Sequence, residues 1–305
     1  METVVVVGAE DEPGYSVALA LLQDGSFQVR AALRDLHSPQ AHGLREAGAQ
    51  TVTVHYNSLE GLQEAFVGAH TCFAATTTDF TDEDPLQSEI HQGYLIADAC
   101  KQHRIKHIVF QGAHHVHRRY GFPARHMDAK ACVNDYMNEI HLPKTELILP
   151  FVFESFLTTF KPKRAGPNLY KIEIPVGETA MDSISVKQVG PIVAVLLKNS
   201  CTWIGKSCLL SADKLTLDQY SAILTSHLQP RRFMDSRISL TTFVKNYKGA
   251  GGQDFGNMFE FWKKGAQKMN VALTLTLCPG TQTFTQWVST NKDLLISALE
   301  KDPVQ

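Results

Sequence analysis

Val4-Val5-Val6-Val7-Gly8-Ala9-Glu10-Asp11-Glu12-Pro13-Gly14-Tyr15-Ser16 sets an apolar run against a glycine, and a stretch rich in Ala and Leu follows. A strand, a glycine turn and a helix in this order mark the first crossover of a doubly wound α/β fold. There the backbone approaches a dinucleotide's pyrophosphate and bare amides at the helix start receive it. The spacing Gly8-x-x-Asp11-x-x-Gly14 keeps two glycines of a Gly-x-x-Gly-x-x-Gly turn and puts an acid at the middle one. Glu10, Asp11 and Glu12 all lie between the retained glycines. One carboxylate about 6 Å from a phosphate charge costs roughly 2–3 kcal/mol at an effective dielectric near 20, less where the side chain swings into solvent. Two readings stand side by side. One is a phosphate loop weakened by its own charges. The other is an ordinary turn in which Asp11 caps the helix, with Glu12 and Pro13 in its first turn.

Beyond this turn, β-rich apolar runs at residues 3–7, 27–33, 51–54, 71–75, 107–110 and 145–149 alternate with helical stretches at 16–23, 39–46, 59–66, 86–104 and 124–139. That alternation predicts an α/β, Rossmann-type doubly wound parallel sheet with helices on both faces. Its ligands belong at the C-terminal strand ends. After Pro150 the rhythm breaks. The aromatic run 151–160, with Phe151, Phe153, Phe156 and Phe160, leads into a turn-rich basic loop, Lys161-Pro162-Lys163-Arg164-Ala165-Gly166-Pro167. Residues 1–150 are expected to form the dinucleotide-binding domain, with 182–199 returning to its sheet as a strand–helix unit. Residues 151–181 and 200–305 are expected to form a smaller, mostly helical lobe. Within it, Thr216-Leu217-Asp218-Gln219 has the form of a capping box, and residues 249–252 form a joint before an aromatic helix.

Charges nearly cancel, for a net of −2, and no long basic run offers a non-specific grip on nucleic acid. The six cysteines are scattered, with no Cys-x-x-Cys pair, which reads as reduced thiols rather than a disulfide frame or a zinc site. No apolar run reaches the length of a membrane span, and the N-terminus enters a strand directly, so no signal peptide is expected. The expected location is cytoplasmic, also nuclear.

The second strand ends in Val29-Arg30-Ala31-Ala32-Leu33-Arg34-Asp35. An acid at that point suits the 2′-hydroxyl of NAD, whereas Arg34 suits the 2′-phosphate of NADP; the plainer alternative is a surface pair of Arg34 with Asp35. Together with Gly48–Thr51, Val109–Gly112, His126-Met127-Asp128-Ala129-Lys130, Leu149-Pro150-Phe151-Val152-Phe153-Glu154 and Met181-Asp182-Ser183-Ile184-Ser185-Val186, this stretch resembles the NmrA-like family. That family is an atypical branch of the short-chain dehydrogenase/reductases. Within it the chain is similar to the animal NmrA-like proteins regarded as NADPH sensors. The resemblance implies an NADP-binding lobe, a smaller helical lobe and regulatory roles. It places Gly8, Asp11 and Gly14 at the pyrophosphate, Arg34 at the 2′-phosphate, Thr76 beside the nicotinamide ribose and Lys130 on the helix after strand five. Asp11 departs from the family's glycine, and Val54-His55 departs from its Gly-Asp at the adenine end.

Reductases of this superfamily place Tyr-x-x-x-Lys on one helix face and a Ser at a strand end, the phenol giving a proton and the lysine tuning it. Here the pair is His126-x-x-x-Lys130, and Gln111 stands where the serine would be. A histidine can transfer protons; a lysine can simply bind ribose hydroxyls. His114-His115-x-His117-Arg118-Arg119 suggests either a metal or phosphate patch or a solvated loop. The leading expectation is a non-catalytic, NADP(H)-responsive regulator or interaction platform that binds its cofactor weakly or not at all, associating with regulatory proteins or as a homodimer. The alternative is an NADPH-dependent reductase of a small carbonyl or quinone, with His126 as proton donor and Lys130 as ribose anchor.

Overall fold

The polyvaline run forms β1 (Glu2–Val7), buried at every residue after the first, as a central strand covered on both faces must be. The structure is a computed structural model describing residues 1–265 and 267–301. The following strands are β2 (Phe27–Leu33), β3 (Gln50–Thr53), β4 (Thr71–Ala74), β5 (His107–Gly112) and β6 (Lys144–Ile148). They pair in parallel. With the strand Ser207–Leu209 at one edge, the seven-stranded order is Ser207–Leu209, β6, β5, β4, β1, β2, β3. The order reverses between β1 and β4, whose register runs from Val4 opposite Thr71 to Val7 opposite Ala74. The ligand crevice of such a sheet opens beyond the C-terminal ends of these two strands.

The intervening helices are α1 (Gly14–Asp24), α2 (Pro39–Glu46), α3 (Glu60–Phe66), α4 (Pro85–Gln102), α5 (Val116–Tyr120) and α6 (Arg125–Glu139). Their ends follow local chemistry. Ser38 caps α2 by accepting from the Ala41 amide, with Pro39 in the first turn. Asp84 does the same for α4 through the Gln87 amide. Gly25 closes α1 in the left-handed conformation, its N–H returning to Leu21 O. Val5, Val7, Leu62, Phe66, Phe110 and Val133 are among the fully buried core. Gly93 lets α4 approach α6, since a Cβ there would lie 2.2 Å from Val133 Cγ2.

His107 is fully buried at the start of β5. Its ring nitrogens meet Ser200 Oγ at 2.9 Å and Thr145 Oγ1 at 2.8 Å. Thr145 itself donates to Trp203 O at 2.8 Å, so Nε2–H donates to Thr145, while the Ser200 hydroxyl donates to Leu197 O at 2.8 Å. Burial pulls the imidazole pKa down to about 4, against an ordinary value near 6.5. Between those values the unfolded chain binds the extra proton, so stability is full above pH 6.5 and falls as pH drops toward 4. Denaturant unfolding at pH 7 and pH 5 should differ by about 2 kcal/mol from this residue, and His107→Asn should remove that increment.

The chain divides into two compact units. The first comprises Met1–Arg119, Arg125–Ile148 and Val186–Cys208; the second comprises Tyr120–Ala124, Leu149–Ser185 and Leu209–Gln305. The expectation that 182–199 rejoins the main sheet as a strand–helix unit needs correction. Met181–Ile184 pairs antiparallel with Asp213–Leu215 and parallel with Phe151–Val152, in a separate three-stranded sheet. The return begins only at Val186, with the helix Val189–Lys198. All four residues of Met181–Ile184 are buried, and a short strand covered on both faces has no alternation to say which sheet receives it.

The second unit also holds a sheet of Lys163–Arg164, Leu169–Ile172 and Arg232–Asp235, so it is less purely helical than its sequence suggests. The capping box at Thr216 and Gln219 is present and opens the helix Leu217–His227. The aromatic run packs inside this unit: Phe151 lies 5.2 Å from Phe156, Phe153 5.2 Å from Phe284 and Phe160 5.2 Å from Phe259, between ring centroids.

Candidate functional site

Gly8 leaves β1 with φ +78, and a Cβ there would lie 2.7 Å from Ala75 O, at the end of β4. A Cβ on Gly14 would lie 2.1 Å from Gly8 O. Both glycines are therefore required by backbone packing at the sheet's crossover point, whatever the crevice receives.

Four amides in and just after this turn have acceptors. Gly8 N donates to the Tyr56 hydroxyl at 3.2 Å, and Asp11 N donates to Gly8 O at 3.3 Å. Tyr15 N donates to Asp11 O at 2.9 Å. Ser16 N donates to Glu12 Oε2 at 3.2 Å. The expected capping role of Asp11 is thus corrected: α1 starts at Gly14, and it is the Glu12 carboxylate that reaches its first turn. Asp11 lies too early in the turn. Its carboxylate accepts from Thr77 Oγ1 at 3.3 Å and sits 3.9 Å from the Arg34 guanidinium.

Arg34 ends β2 as expected, but its partner is Glu10 and not Asp35. Nη1 lies 2.7 Å from Glu10 Oε1, and the guanidinium covers the Tyr56 ring at 4.7 Å. Asp35 instead accepts from the His37 amide. Burial raises the Glu10 pKa, against the lowering by a backbone hydrogen bond and by Arg34. Its second oxygen, Oε2, is buried without a hydrogen-bond partner. Burial, and then the Glu10 charge, raise the Tyr56 phenol as well. Alongside, a hollow of about 390 Å³ is lined by Glu10, Asp11, Glu12, Tyr15, Pro39 and Gln40. Tyr56 was not singled out from sequence. The departure at Val54-His55, one residue earlier, was the available signal.

The nicotinamide half of the expected site is organised by another unanticipated residue, Glu89 of α4. It is 2 % exposed. One carboxylate oxygen takes the Lys130 ammonium at 2.6 Å and the Thr76 hydroxyl at 2.5 Å; the other takes the Thr78 hydroxyl. Lys130 Nζ also reaches His126 O at 3.4 Å. Thr76 and Lys130 therefore meet through a glutamate. Glu89 shares the buried face of α4 with Gly93, Ile96, Ala97 and Cys100; an acid on an otherwise apolar helical stripe was the signal that pointed to it. His126 sits one turn before Lys130 on α6, with Phe80 edge-on to its ring at 5.8 Å. Gln111 is half-buried near the end of β5.

The histidine run after β5 is tied to carboxylates of α6. His115 Nε2 lies 3.0 Å and Arg118 Nη2 2.8 Å from Asp135 Oδ2, while the His117 amide donates to Asp128. Among the described residues no group of three or more His, Cys, Asp or Glu could hold a metal ion. All six cysteines are free. Among those residues no helix is long and apolar enough to cross a membrane.

The crevice has the architecture for a dinucleotide, but the loop chemistry does not fit a diphosphate. Four of its amides and its arginine are engaged by the chain's own oxygens, and Glu10, Asp11 and Glu12 line the hollow. A relative from Dictyostelium discoideum, an NmrA-like family domain-containing protein, is 22% identical over 233 residues, covering 73% of this chain and 76% of that protein. An NmrA-like family domain-containing oxidoreductase of an Aspergillus species is 37% identical over 112 residues, 35% of this chain and only 33% of its own length. The crystal structure of NmrA, a negative transcriptional regulator, in complex with NADP superposes with a TM-score of 0.77 at 18% identity, covering 94% of each chain. Residues 1–276 match the NmrA-like family as a whole, and the chain belongs to that family.

Proposed function

We propose that this protein is a non-catalytic regulator on an NADP(H)-binding scaffold. It serves as a redox-responsive sensor or interaction platform whose dinucleotide loop is held closed by its own carboxylates. The observation that carries this reading is the pair of internal contacts Glu10–Arg34 and Glu12–Ser16: the cation suited to a 2′-phosphate and an amide at the helix start both have acidic partners. Support also comes from the solved NmrA complex, a regulator that holds NADP on the same fold. A cofactor must displace these carboxylates, so occupancy would couple to a change of loop conformation, which is what a sensor requires.

The reductase reading draws on the His126–Lys130 spacing and on the relatives named oxidoreductases. Against it stand Gln111 in place of a serine and the engagement of Lys130 by Glu89. Titration calorimetry with NADPH and NADH tests the cofactor part. The expected result is an affinity weaker than about 100 µM; tight, NADPH-selective binding to the unaltered chain would overturn it. NADPH consumption over a panel of carbonyls and quinones, repeated with Lys130→Ala, tests the catalytic part. Turnover that the substitution abolishes would establish the enzyme instead.

A further inference from the structure

We propose that the open face of the sheet Lys163–Arg164, Leu169–Ile172 and Arg232–Asp235 docks an acidic segment of a partner protein, one that also carries an apolar side chain. The face is defined by register. Lys163 lies opposite Lys171, and Lys171 opposite Met234, so these three form one row across the sheet. Leu169 lies opposite Arg232 in the neighbouring row. Alternation is clean on the two longer strands: Tyr170, Ile172, Phe233 and Asp235 are buried, while Leu169 and Lys171 are half-buried and Arg232 and Met234 exposed.

The pairing works against the sheet's own stability. Two lysines directly across adjacent strands repel. Only Lys163 is compensated, by Glu173 at 2.6 Å. Among the described residues neither Lys171 nor Arg232 has a carboxylate within ion-pair distance, whereas the neighbouring Arg231 is held by Glu300 at 2.5 Å. Breaches of local rules of this kind are expected at working surfaces. Between the two unpaired cations lie Leu169 and Met234, the latter 43% exposed. Cations around an apolar patch complement carboxylates flanking an apolar anchor.

Single-stranded nucleic acid fits less well, because base stacking needs aromatic rings on the face. Both rings of this sheet, Tyr170 and Phe233, point inward and stack on each other at 5.3 Å. A second copy of the chain meeting this face with its own would set cation against cation. The surface lies in the second unit and goes beyond the cofactor reading; it is independent of whether the loop accepts NADPH.

The probe is a short fluorescein-labelled peptide of alternating Glu and Leu, followed by anisotropy with the full chain. Binding is expected, weakening with salt. It should fall about tenfold or more in Lys171→Glu/Arg232→Glu and persist in Lys171→Arg. The doubly reversed variant should instead bind a peptide of alternating Lys and Leu, an exchange a misfolded chain would not show. Equal binding of the acidic peptide by wild type and the reversed variant would overturn the proposal. So would tighter binding of an oligothymidylate lost in that variant, or a sedimenting dimer that the reversal dissociates.

Discussion

NADPH affinity should rise by about a hundredfold when Glu10→Thr is combined with Glu12→Ala. Each carboxylate near a phosphate costs roughly 2–3 kcal/mol at an effective dielectric near 20, and about 1.4 kcal/mol is a factor of ten. The two do not count equally. Glu12 is solvent-exposed, so screening reduces its share. The Glu10 side chain is only 15% exposed, and its removal also releases Arg34. Losing the Glu12 carboxylate leaves the Ser16 amide without its acceptor, a cost of about 1 kcal/mol in the free protein, which a bound phosphate would offset. Calorimetry reads the affinity directly. Thermal denaturation with added NADPH provides a second readout, because a ligand that binds only the folded chain raises the melting temperature.

The same mechanism fixes a pH dependence in the unaltered protein. The pKa of Glu10 is raised chiefly by burial, so it takes up its proton at a higher pH than an ordinary carboxyl. Protonation removes the repulsion, and NADP affinity should therefore increase as pH falls through that raised value. In Glu10→Thr this increase should vanish. Unchanged affinity in the double variant, with no pH dependence in the parent, would mean that the loop acids are not the obstacle.

The second large effect is on stability. Glu89→Ala should cost about 3–5 kcal/mol, the usual range for breaking a buried ion pair from one side. It strands the Lys130 ammonium, whose side chain is 12% exposed, and leaves the Thr76 and Thr78 hydroxyls without their acceptor. Glu89→Met combined with Lys130→Met should recover the part of that loss due to the stranded ammonium, because two apolar chains of similar length remove both charges together. Denaturant unfolding of the singles and the double completes the cycle. A double variant as unstable as the sum of its parts would show that the two residues do not act as a pair.

How far this was legible differs from residue to residue. The loop's position followed from a valine run, a glycine and an Ala- and Leu-rich stretch, all local features. That its acids matter followed from charge alone. Which acid does what did not: Asp11 and Glu12 are neighbours, and the start of α1 at Gly14 decided that Glu12 meets the helix amides. Arg34 has an acid next to it in sequence, yet pairs with Glu10, which the adjacency of β1 and β2 brings beside it. Tyr56 and Glu89 were missed for the same reason. Each acts through partners distant along the chain: Gly8 and Arg34 for the phenol, Thr76 and Lys130 for the carboxylate.

By itself, the sequence determined the alternation of strand and helix, the capping box at Thr216, and the acidic character of the first turn. These depend on residues within a few positions of one another, where spacing and side-chain type are enough. Tertiary structure alone decided that Met181–Ile184 joins a separate sheet, that Glu10 rather than Asp35 holds Arg34, and that Glu89 gathers Lys130 with two threonines. Those outcomes rest on which distant segments come into contact, and a charge finds its partner by distance in space, not by position along the chain.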